Sequence, residues 1–502
     1  MTPRHKATLR LLSMYRSADT MAGMTSIATG FPDPWPAPLA IHPLDAVVEV
    51  PGSKSLSNRY LVLAALGTRP VTLKGLLRSR DTELMMTALE RLGAGCESLN
   101  DDGTTVRIMP PSNGVFHGSV TINCGLAGTV MRFVPCLALF ADGPVRFDGD
   151  EQAYARPMQP VLDGLEQLGA RIEYHGERGF LPFTITPPPY GDEDSADGDD
   201  EIRVAHIAID SSASSQFISG LLLVASRLPH GCELVHTGEK LPSMPHIRMT
   251  MEDVNRAGGH IEMSQLGRWV VDPADLALPS EVVVEPDLSN AAPFLGAAMI
   301  AGGSVSVPHW PKETAQPGGL LPALLQRLGA SVSWDGKPWP TDDAGDTAAN
   351  NTGFADDAPA AATLCVTGTG MIHGLGRYDL SAAGEIAPSI AALCVLADAP
   401  TALVGIGHLR GHETNRLQAL VTEIERIGGT AGELEDGLEI IPVARHRLHG
   451  AVMQTYADHR MATFAAMLGL AIDGIDIVNI ATTRKTLPDF TGMWTGMLQA
   501  KG

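Results

Sequence analysis

Aromatic residues, paired cysteines and long apolar runs are all scarce in this chain of 502 residues. No apolar run reaches the roughly 18–20 residues that a helix needs to cross a bilayer, so we predict a soluble protein. The six cysteines are scattered without CxxC spacing, mostly in apolar surroundings, a pattern typical of reduced core thiols rather than of disulfides or zinc ligands. These absences favour a cytoplasmic protein without a structural metal.

Positive charge is also in short supply. The chain has 36 Lys and Arg residues against 57 Asp and Glu residues, for a net charge of −21 at pH 7. This balance argues against nucleic acid and against anionic membranes as partners. Small anionic substrates are still compatible with it, because a local basic cleft can outweigh a distant acidic surface.

The first 38 residues differ from the rest in their charge. Four basic residues and one acid, Asp19, precede Asp33, and no sustained apolar segment of the kind found in secretory signals follows them. An organelle transit peptide, a start at Met24 and an unstructured extension are the alternatives. We predict an unstructured extension at residues 1–38 that lies outside the fold.

A polar loop that opens an apolar helix recurs six times along the chain. The spacings between successive loops are 74, 85, 75, 96 and 74 residues, and the two long intervals contain the low-complexity stretches 188–201 and 338–361. Such a regular period is the signature of an internal repeat. The loops begin at Ser53, Ala127, Ser212, Asp287, Ala383 and Ala457.

The repeat predicts an α/β protein of six units, grouped three and three. Each unit reads as a βαβαββ-type element, and the first helix is apolar on all sides, which predicts that it is buried inside its domain. The predicted domains are residues 53–284, and residues 285–502 together with a strand in residues 40–52. We expect that strand to complete the sixth unit, which places both termini in the second domain.

Several cations lie near the starts of the predicted helices. Free amides at a helix N-terminus attract anions, and helices that share a direction would bring these ends of both domains to one cleft. A single such cation is usually a solvated surface charge, but the set exceeds what one phosphate requires. ATP binding is disfavoured because the glycine spacing of a P-loop is missing. The cations are Lys54, Arg156, Arg416, Arg460 and Lys485.

Two acidic residues near these cations have more than one interpretation. Glu385, at the head of a buried helix, is either a capping acid or a general base. His408 and His412, followed by Glu413, have a spacing that might suggest zinc, but Gly411 favours a loop and HExxH is absent, so we predict no metal.

The hydroxyls of the sequence offer a further anion site. Ser214, Ser215 and Gln216 stand at a helix start, where they form either a phosphate cradle or ordinary caps, and Ser243 offers another hydroxyl.

With these residues laid out, the chain resembles the 5-enolpyruvylshikimate-3-phosphate synthase family from about Val47 to Leu498. The resemblance is carried, in order, by PGSKSLSNR, LAGTVMRF, ARPMQPVLDGL, SASSQF, GHETNRL, YADHRMA and KTLPDF. It implies a two-domain inside-out α/β barrel with three repeated units in each domain and an active site in the cleft between them. We predict a monomer.

The resemblance also implies the reaction. The enolpyruvyl group of phosphoenolpyruvate would pass to the 5-hydroxyl of shikimate-3-phosphate by addition and elimination, with release of phosphate and without a cofactor. This is a step of the shikimate pathway, which leads to chorismate and the aromatic amino acids.

By the same resemblance, individual residues receive roles. Glu385 would take the proton of the attacking hydroxyl, and Glu413 and Lys54 are candidates for handling the proton at the enol carbon. Shikimate-3-phosphate would be bound by Lys54, Ser55, Arg59, Ser214, Ser215, Gln216, Ser243, Glu385 and His412. Phosphoenolpyruvate would be bound by Lys54, Gly128, Arg156, Gln216, Arg416, Arg460 and Lys485.

Two alternatives stay open at this stage. The UDP-N-acetylglucosamine enolpyruvyl transferases share the fold, but they normally have asparagine after the first lysine, where Ser55 stands here, and a mobile loop with a reactive cysteine. A catalytically silent anion-binding repeat protein would need no base, and the full set of cations beside Glu385 argues against it.

Four positions depart from the commonest pattern of the family. Glu385 and Asn415 stand where aspartates are usual, Leu126 where asparagine is usual, and His412 where lysine is usual. Glu385 keeps the carboxylate on a longer arm, whereas Asn415 removes a charge beside Arg416.

The histidine at position 412 gives a testable pH dependence. Lysine is fully charged near neutral pH and histidine only partly. We expect the Michaelis constant for shikimate-3-phosphate to rise between about pH 6 and 9, as the imidazole of His412 loses its proton. A constant that stays flat over this range would contradict the role assigned to His412.

Overall fold

The computed structural model describes residues 32–189, 204–240, 243–340, 359–411 and 413–500. Within these ranges the chain is a mixed α/β protein, as predicted, and none of the helices is long and apolar enough to cross a membrane. The twelve α-helices of the described residues are α1 (Lys54–Leu66), α2 (Arg80–Arg91), α3 (Gly128–Leu137), α4 (Gln159–Gln167), α5 (Ser215–Ala225), α6 (Met244–Arg256), α7 (Leu288–Ala301), α8 (Leu321–Arg327), α9 (Ala387–Val395), α10 (Arg416–Arg426), α11 (His459–Gly469) and α12 (Phe490–Gln499).

The strands of the described residues form six sheets. Most of the two low-complexity stretches, 188–201 and 338–361, lies outside the described residues. The strands are β1 (Trp35–Pro36), β2 (Leu44–Val47), β3 (Val71–Lys74), β4 (Gly95–Ser98), β5 (Val106–Met109), β6 (Val120–Asn123), β7 (Val145–Asp148), β8 (Arg171–Tyr174), β9 (Phe183–Thr186), β10 (Ala205–Ile209), β11 (Cys232–His236), β12 (His260–Gln265), β13 (Arg268–Asp272), β14 (Glu281–Val283), β15 (Gly303–Pro311), β16 (Ser331–Trp334), β17 (Lys337–Pro338), β18 (Ala361–Gly368), β19 (Gly376–Asp379), β20 (Thr401–Val404), β21 (Thr430–Leu434), β22 (Gly437–Ile441), β23 (Val452–Met453) and β24 (Asp476–Ile477).

One pattern of strand pairing repeats through the sheets. In the unit from β6 to β9, β6 and β7 are parallel and separated by α3, whereas β9 is antiparallel to both β7 and β8. The unit from β10 to β13 has the same pattern, and so does the unit from β19 to β22. This is the βαβαββ order that the sequence period predicts.

Two strands pair outside their own stretch of the chain. Strand β2 is parallel to β15, and β14 is parallel to β3. The prediction that the strand before Ser53 completes the sixth unit is therefore wrong, because β2 joins the sheet of the fourth unit. Alternating burial along β2 reveals which face lies inside, but it does not reveal which strand is the neighbour.

The sixth sheet is instead completed by residues that we expected to be unstructured. Strand β1 runs antiparallel to β24, and the Trp35 ring is buried, with its centroid 6.4 Å from that of Phe490. The prediction of an unstructured extension is wrong for this end of residues 1–38. Residues 1–31 of the extension lie outside the described part of the chain.

The buried hydrophobic side chains form two clusters. The first core lies within residues 56–284, and the second core lies within residues 35–50 and 288–497. The first helix of each unit (α1, α3, α5, α7, α9 and α11) is almost wholly buried, and in α9 all nine residues are. The predicted burial of these apolar helices is confirmed. Their burial leaves the N-terminal residues as the parts of these helices that carry polar groups.

The packing of α9 gives a direct test of this arrangement. Leu393 is 1% exposed, so Leu393→Ala is expected to lower the free energy of unfolding by about 2–5 kcal/mol through lost contacts and the resulting cavity. The matched control is Leu266→Ala, at a side chain that is 72% exposed, with an expected change within about 0.5 kcal/mol. Thermal unfolding followed by circular dichroism compares the two, and equal losses would contradict a buried α9.

Candidate active site

The site begins where β2 leads into α1. A Cβ on Gly52 would lie 2.0 Å from the carbonyl oxygen of Gly75, so only glycine allows the two backbones to approach this closely. Ser53 then caps α1 by accepting a hydrogen bond from the backbone N–H of Leu56 (3.4 Å). This turn places Lys54 at the first position of the helix, with its Nζ 3.8 Å from Oδ2 of Asp81.

The charges around Lys54 come from both ends of the chain. Burial lowers the pKa of Lys54, and the positive charge of Lys485 lowers it further, against the opposing effect of Asp81, Glu413 and Glu385. The ammonium therefore lies among carboxylates and a second cation, next to the helix end that favours anions.

Glu385 lies in the helical turn Ser381–Ile386, directly before α9. Its Oε2 accepts a hydrogen bond from Nη2 of Arg460 (2.7 Å), and its Oε1 lies 3.0 Å from Nε2 of His246. Arg460 belongs to α11 and His246 to α6, so this carboxylate connects residues from the two halves of the chain. Both of its oxygens face nitrogen atoms of charged or chargeable side chains.

A second carboxylate, Glu413, lies between two cations. Its Oε1 accepts from Nζ of Lys485 (2.5 Å) and its Oε2 from Nη2 of Arg416 (2.8 Å). Burial raises the pKa of Glu413, but the charges of Lys485, Arg416 and His459 outweigh burial and hold that pKa well below its usual range. Glu413 is therefore ionised across the physiological range of pH.

Arg416 is fixed by a further acid. Its Nε donates to Oδ2 of Asp458 at 2.6 Å, and the side chain of Asp458 is completely buried. Asp458 also caps α11, because its Oδ1 accepts from the backbone N–H of Arg460 (2.9 Å). One carboxylate thus sets the positions of two arginines.

Gly128, Arg156 and Gln216 meet at the start of α3. A Cβ on Gly128 would lie 2.9 Å from Nη2 of Arg156 and 3.0 Å from Oε1 of Gln216, so this backbone and the two side chains form one tight group. Arg156 donates from Nη1 to the carbonyl oxygen of Leu126 (2.8 Å). Burial lowers the pKa of Arg156, while the carboxylates of Glu413 and Asp81 raise it.

Arg59 and the predicted serine residues belong to the half of the chain that forms the first core. The Arg59 guanidinium is buried and donates to Oγ1 of Thr250 (2.8 Å) and to the carbonyl oxygens of Ser55 and His246 (3.0 Å each). Burial lowers its pKa to about 10. Its predicted contact with shikimate-3-phosphate stays a prediction.

The two serine-bearing segments lie at helix starts, as predicted. Ser214 caps α5 by accepting from the backbone N–H of Gln216 (3.3 Å), and Ser215 is the first residue of that helix. Ser243 occupies the cap position of α6, where its side chain makes no capping bond. His412 lies outside the described residues, and among the described ones no group of three or more His, Cys, Asp and Glu side chains is placed to hold a metal.

Sequence reasoning missed several residues that organise these groups. His246 and Asp81 gave no signal of their own. Glu423 did: it is a carboxylate on the apolar face of α10, in register with Leu420 and Ile427, and its side chain is completely buried. Its oxygens accept from Tyr456 Oη (2.7 Å), from the backbone N–H of Gln454 (3.1 Å) and from Arg426 Nε (3.0 Å).

Glu423 thereby holds the segment that leads into Asp458. Tyr456 and Ala457 both have left-handed backbone conformations, with φ of 53° and 54°, which are uncommon for residues other than glycine. Such conformations persist where the surroundings fix them. The bonds to Glu423 are the contacts that fix this segment.

Two tyrosines of equal exposure test the importance of this contact. The Tyr456→Phe change removes a donor to a fully buried carboxylate and is expected to cost about 1.5–3 kcal/mol of stability. The control Tyr154→Phe removes a similar bond (2.7 Å) to Asp148, which is one-third exposed, where water replaces the donor at a cost of about 0.5 kcal/mol or less. Unfolding in urea measures both. Equal losses would contradict a fixing role for Glu423.

Comparison with known proteins relates this chain to one family. A family profile described as EPSP synthase (3-phosphoshikimate 1-carboxyvinyltransferase) matches residues 39–494. The 3-phosphoshikimate 1-carboxyvinyltransferase of Bifidobacterium longum (strain DJO10A) is 64% identical over 466 residues, which cover 93% of this chain and 98% of that protein. The protein of the same description from Kocuria rhizophila is 44% identical over 476 residues, covering 94% and 98%.

Solved structures with this fold are more distant in sequence. An EPSP synthase from Acinetobacter baumannii superimposes with a TM-score of 0.71 at 21% identity, covering 91% of this chain and 96% of that one. The enolpyruvyl transferase NikO from Streptomyces tendae gives a TM-score of 0.63 at 16% identity, with the same coverage. At these identities the likeness concerns the fold alone. The family match and the two close relatives, each covering nearly the whole chain, show that this chain belongs to the EPSP synthase family.

Proposed function

We propose that this chain performs the EPSP synthase reaction in a cleft between two domains, with the residues described above as its binding and catalytic groups. As a member of the family, it is an enolpyruvyl transferase of the shikimate pathway. It transfers the enolpyruvyl group of phosphoenolpyruvate to the 5-hydroxyl of shikimate-3-phosphate and releases phosphate. The observation that carries the residue assignment is the direct pairing of Glu413 with Lys485 and Arg416, and of Glu385 with Arg460.

The proposed domains are residues 53–284, and residues 40–52 with 285–502. Two separate hydrophobic cores support this division. The pairing of β2 with β15 and of β14 with β3 also supports it, because each pair lies within one proposed domain. In each domain three buried helices would lie inside and the sheets outside, which is the inside-out barrel arrangement. Monomeric state stays a prediction.

The two substrates are anions, and the proposed site provides cations for each. Phosphoenolpyruvate would lie between Arg416, Arg460 and Lys485 on one side and Arg156 with Gln216 on the other. The absence of a side chain at Gly128 would let an anion approach the start of α3, which has no side-chain cap and where the first N–H groups have no partner within the helix. A site that excludes water strengthens all of these contacts.

Shikimate-3-phosphate would bind against the first domain. Lys54 lies between the proposed positions of both substrates. The phosphate would be held at the start of α5 and α6, and the ring carboxylate and hydroxyls by the start of α1. The residues proposed for this substrate are Lys54, Ser55, Arg59, Ser214, Ser215, Gln216, Ser243, Glu385 and His412.

The reaction requires a base for the attacking hydroxyl. It also requires a group that gives a proton to the methylene carbon and one that later removes a proton from the methyl group. Protonation of the methylene carbon of phosphoenolpyruvate makes the adjacent carbon electrophilic, and the 5-oxygen of shikimate-3-phosphate forms a bond to it. Glu385 takes the proton of that hydroxyl. The C–O bond to the phosphate then breaks, phosphate leaves, and loss of a methyl proton restores the double bond.

Lys54 and Glu413 are the proposed groups for the proton at the methylene carbon. The lowered pKa of Lys54 brings its ammonium closer to neutrality than an exposed lysine, so it gives up a proton more readily. Glu413 is ionised between Lys485 and Arg416, and it becomes a stronger base, able to accept the proton when the double bond re-forms, once those cations turn to the substrate.

The first test is phosphate release from phosphoenolpyruvate with shikimate-3-phosphate as the sole acceptor. The Glu385→Gln change keeps the size of the side chain and removes the base, so kcat is expected to fall by about 10²–10⁴-fold. The control is Glu439→Gln, at an exposed carboxylate on β22, with an unchanged rate. Full activity of Glu385→Gln would refute the base, and no turnover by the wild type would refute the proposed function.

A further inference from the structure

The side chain of His246 connects the half of the chain that forms the first core with the proposed base. His246 is the third residue of α6, and its Nε2 lies 3.0 Å from Oε1 of Glu385. An ionised carboxylate only accepts hydrogen bonds, so the imidazole is the donor in this contact. The side chain is 18% exposed, which leaves little access for water to replace it.

The backbone of His246 is itself held in place. Its carbonyl oxygen accepts hydrogen bonds from Nη2 of Arg59 and from Oγ1 of Thr250, both at 3.0 Å. Arg59 belongs to α1, the helix that also carries Lys54. The position of the imidazole is therefore fixed relative to the start of α1, where we place part of the binding site.

The carboxylate of Glu385 receives its second bond from the other core. Arg460 of α11 donates to Oε2 at 2.7 Å, so the two oxygens are held from two directions, by one residue from each half of the chain. Two bonds to different oxygens fix the rotation of a carboxylate as well as its position.

We propose that His246 is a positioning residue for the reaction: its Nε2–H orients the carboxylate of Glu385 across the cleft, so that the base is aligned only when the two halves of the chain are together. The proposal rests on the proposed role of Glu385. His246 acts through that carboxylate and not by contact with a substrate.

Other charged groups also face Glu385. Each of them can contribute to the pH dependence of kcat. The effect of His246 is to be separated from theirs by comparing variants that differ at residue 246 alone. Among the described residues, those that face Glu385 include Lys54 from α1, His246 from α6, Asp287 at the cap of α7, His408 from the turn Gly407–Gly411, Arg416 from α10 and Arg460 from α11.

Two variants separate positioning from other roles. His246→Leu removes the donor, whereas His246→Gln keeps an N–H donor at a similar reach from the backbone. We expect kcat to fall by about 10–100-fold in His246→Leu, with an unchanged Michaelis constant for phosphoenolpyruvate, and to be largely retained in His246→Gln. A fold intact by circular dichroism in both variants is the structural control.

The pH profile provides a readout that a merely structural role would not move. A donor to a carboxylate favours its ionised form, so the loss of the donor favours the protonated carboxyl. The acid limb of the kcat profile is therefore expected to move upward by about 1 pH unit in His246→Leu and to stay in place in His246→Gln.

Each alternative gives a different result. A Michaelis constant for shikimate-3-phosphate that rises in both variants, with kcat unchanged, would mean that His246 contacts the substrate, and it would overturn the proposal. Loss of kcat in His246→Gln equal to that in His246→Leu would mean proton transfer by the imidazole, which also overturns it.

A double variant distinguishes failure of this inference from failure of the proposed function. Because His246 acts through Glu385, His246→Leu is expected to have no further effect in a Glu385→Gln background. A further loss there would overturn the inference while Glu385 remains the base. Full activity of Glu385→Gln alone would instead remove the base on which the inference rests.

Discussion

The repulsion between the cations of the site is the constraint on which the rest of the structure depends. Five basic side chains gathered in a partly buried site repel one another, and burial alone disfavours their charged forms. The chain offsets this cost with carboxylates placed between the cations rather than around them. The pairs include Lys54 with Asp81, Lys485 and Arg416 with Glu413, Arg460 with Glu385, and Arg416 with Asp458.

These carboxylates differ in solvent exposure, and the difference distinguishes structural residues from those that can reach a substrate. Asp458 is completely buried, holds Arg416 and caps α11, so it belongs to the scaffold. Glu385 and Glu413 are 30% and 28% exposed, which leaves them accessible from the site. Glu423 supports the scaffold from one step further away, because it fixes the left-handed segment before Asp458. Breaking a buried ion pair is costly because it leaves one charge without a partner. The buried pair of Asp458 and Arg416 is therefore suited to a fixed structural role.

The sequence was sufficient to predict the α/β class, the repeated unit and the burial of its first helix, because these follow from local periodicity. It was insufficient for the pairing of β2 with β15, because the choice of a neighbouring strand depends on contacts far apart in the chain. In the site, the cations and Glu385 stood out by their position at helix starts. The imidazole of His246 did not, since its partner is 139 residues away and no local pattern marks such a pair.

An acidic protein that binds anions needs a site whose own acids can exchange partners. In the structure the cations already have carboxylate partners, so an incoming phosphate or carboxylate competes with Glu413 for Lys485 and Arg416. The net free energy gained on binding is the difference between the new ion pairs and those that they replace, so it is smaller than the new pairs alone would give. This exchange has a chemical consequence, because a carboxylate that yields its cation to the substrate becomes a stronger base at the moment when a proton must be taken. The same pairs that stabilise the site therefore prepare Glu413 for its proposed role as the acceptor of the methyl proton.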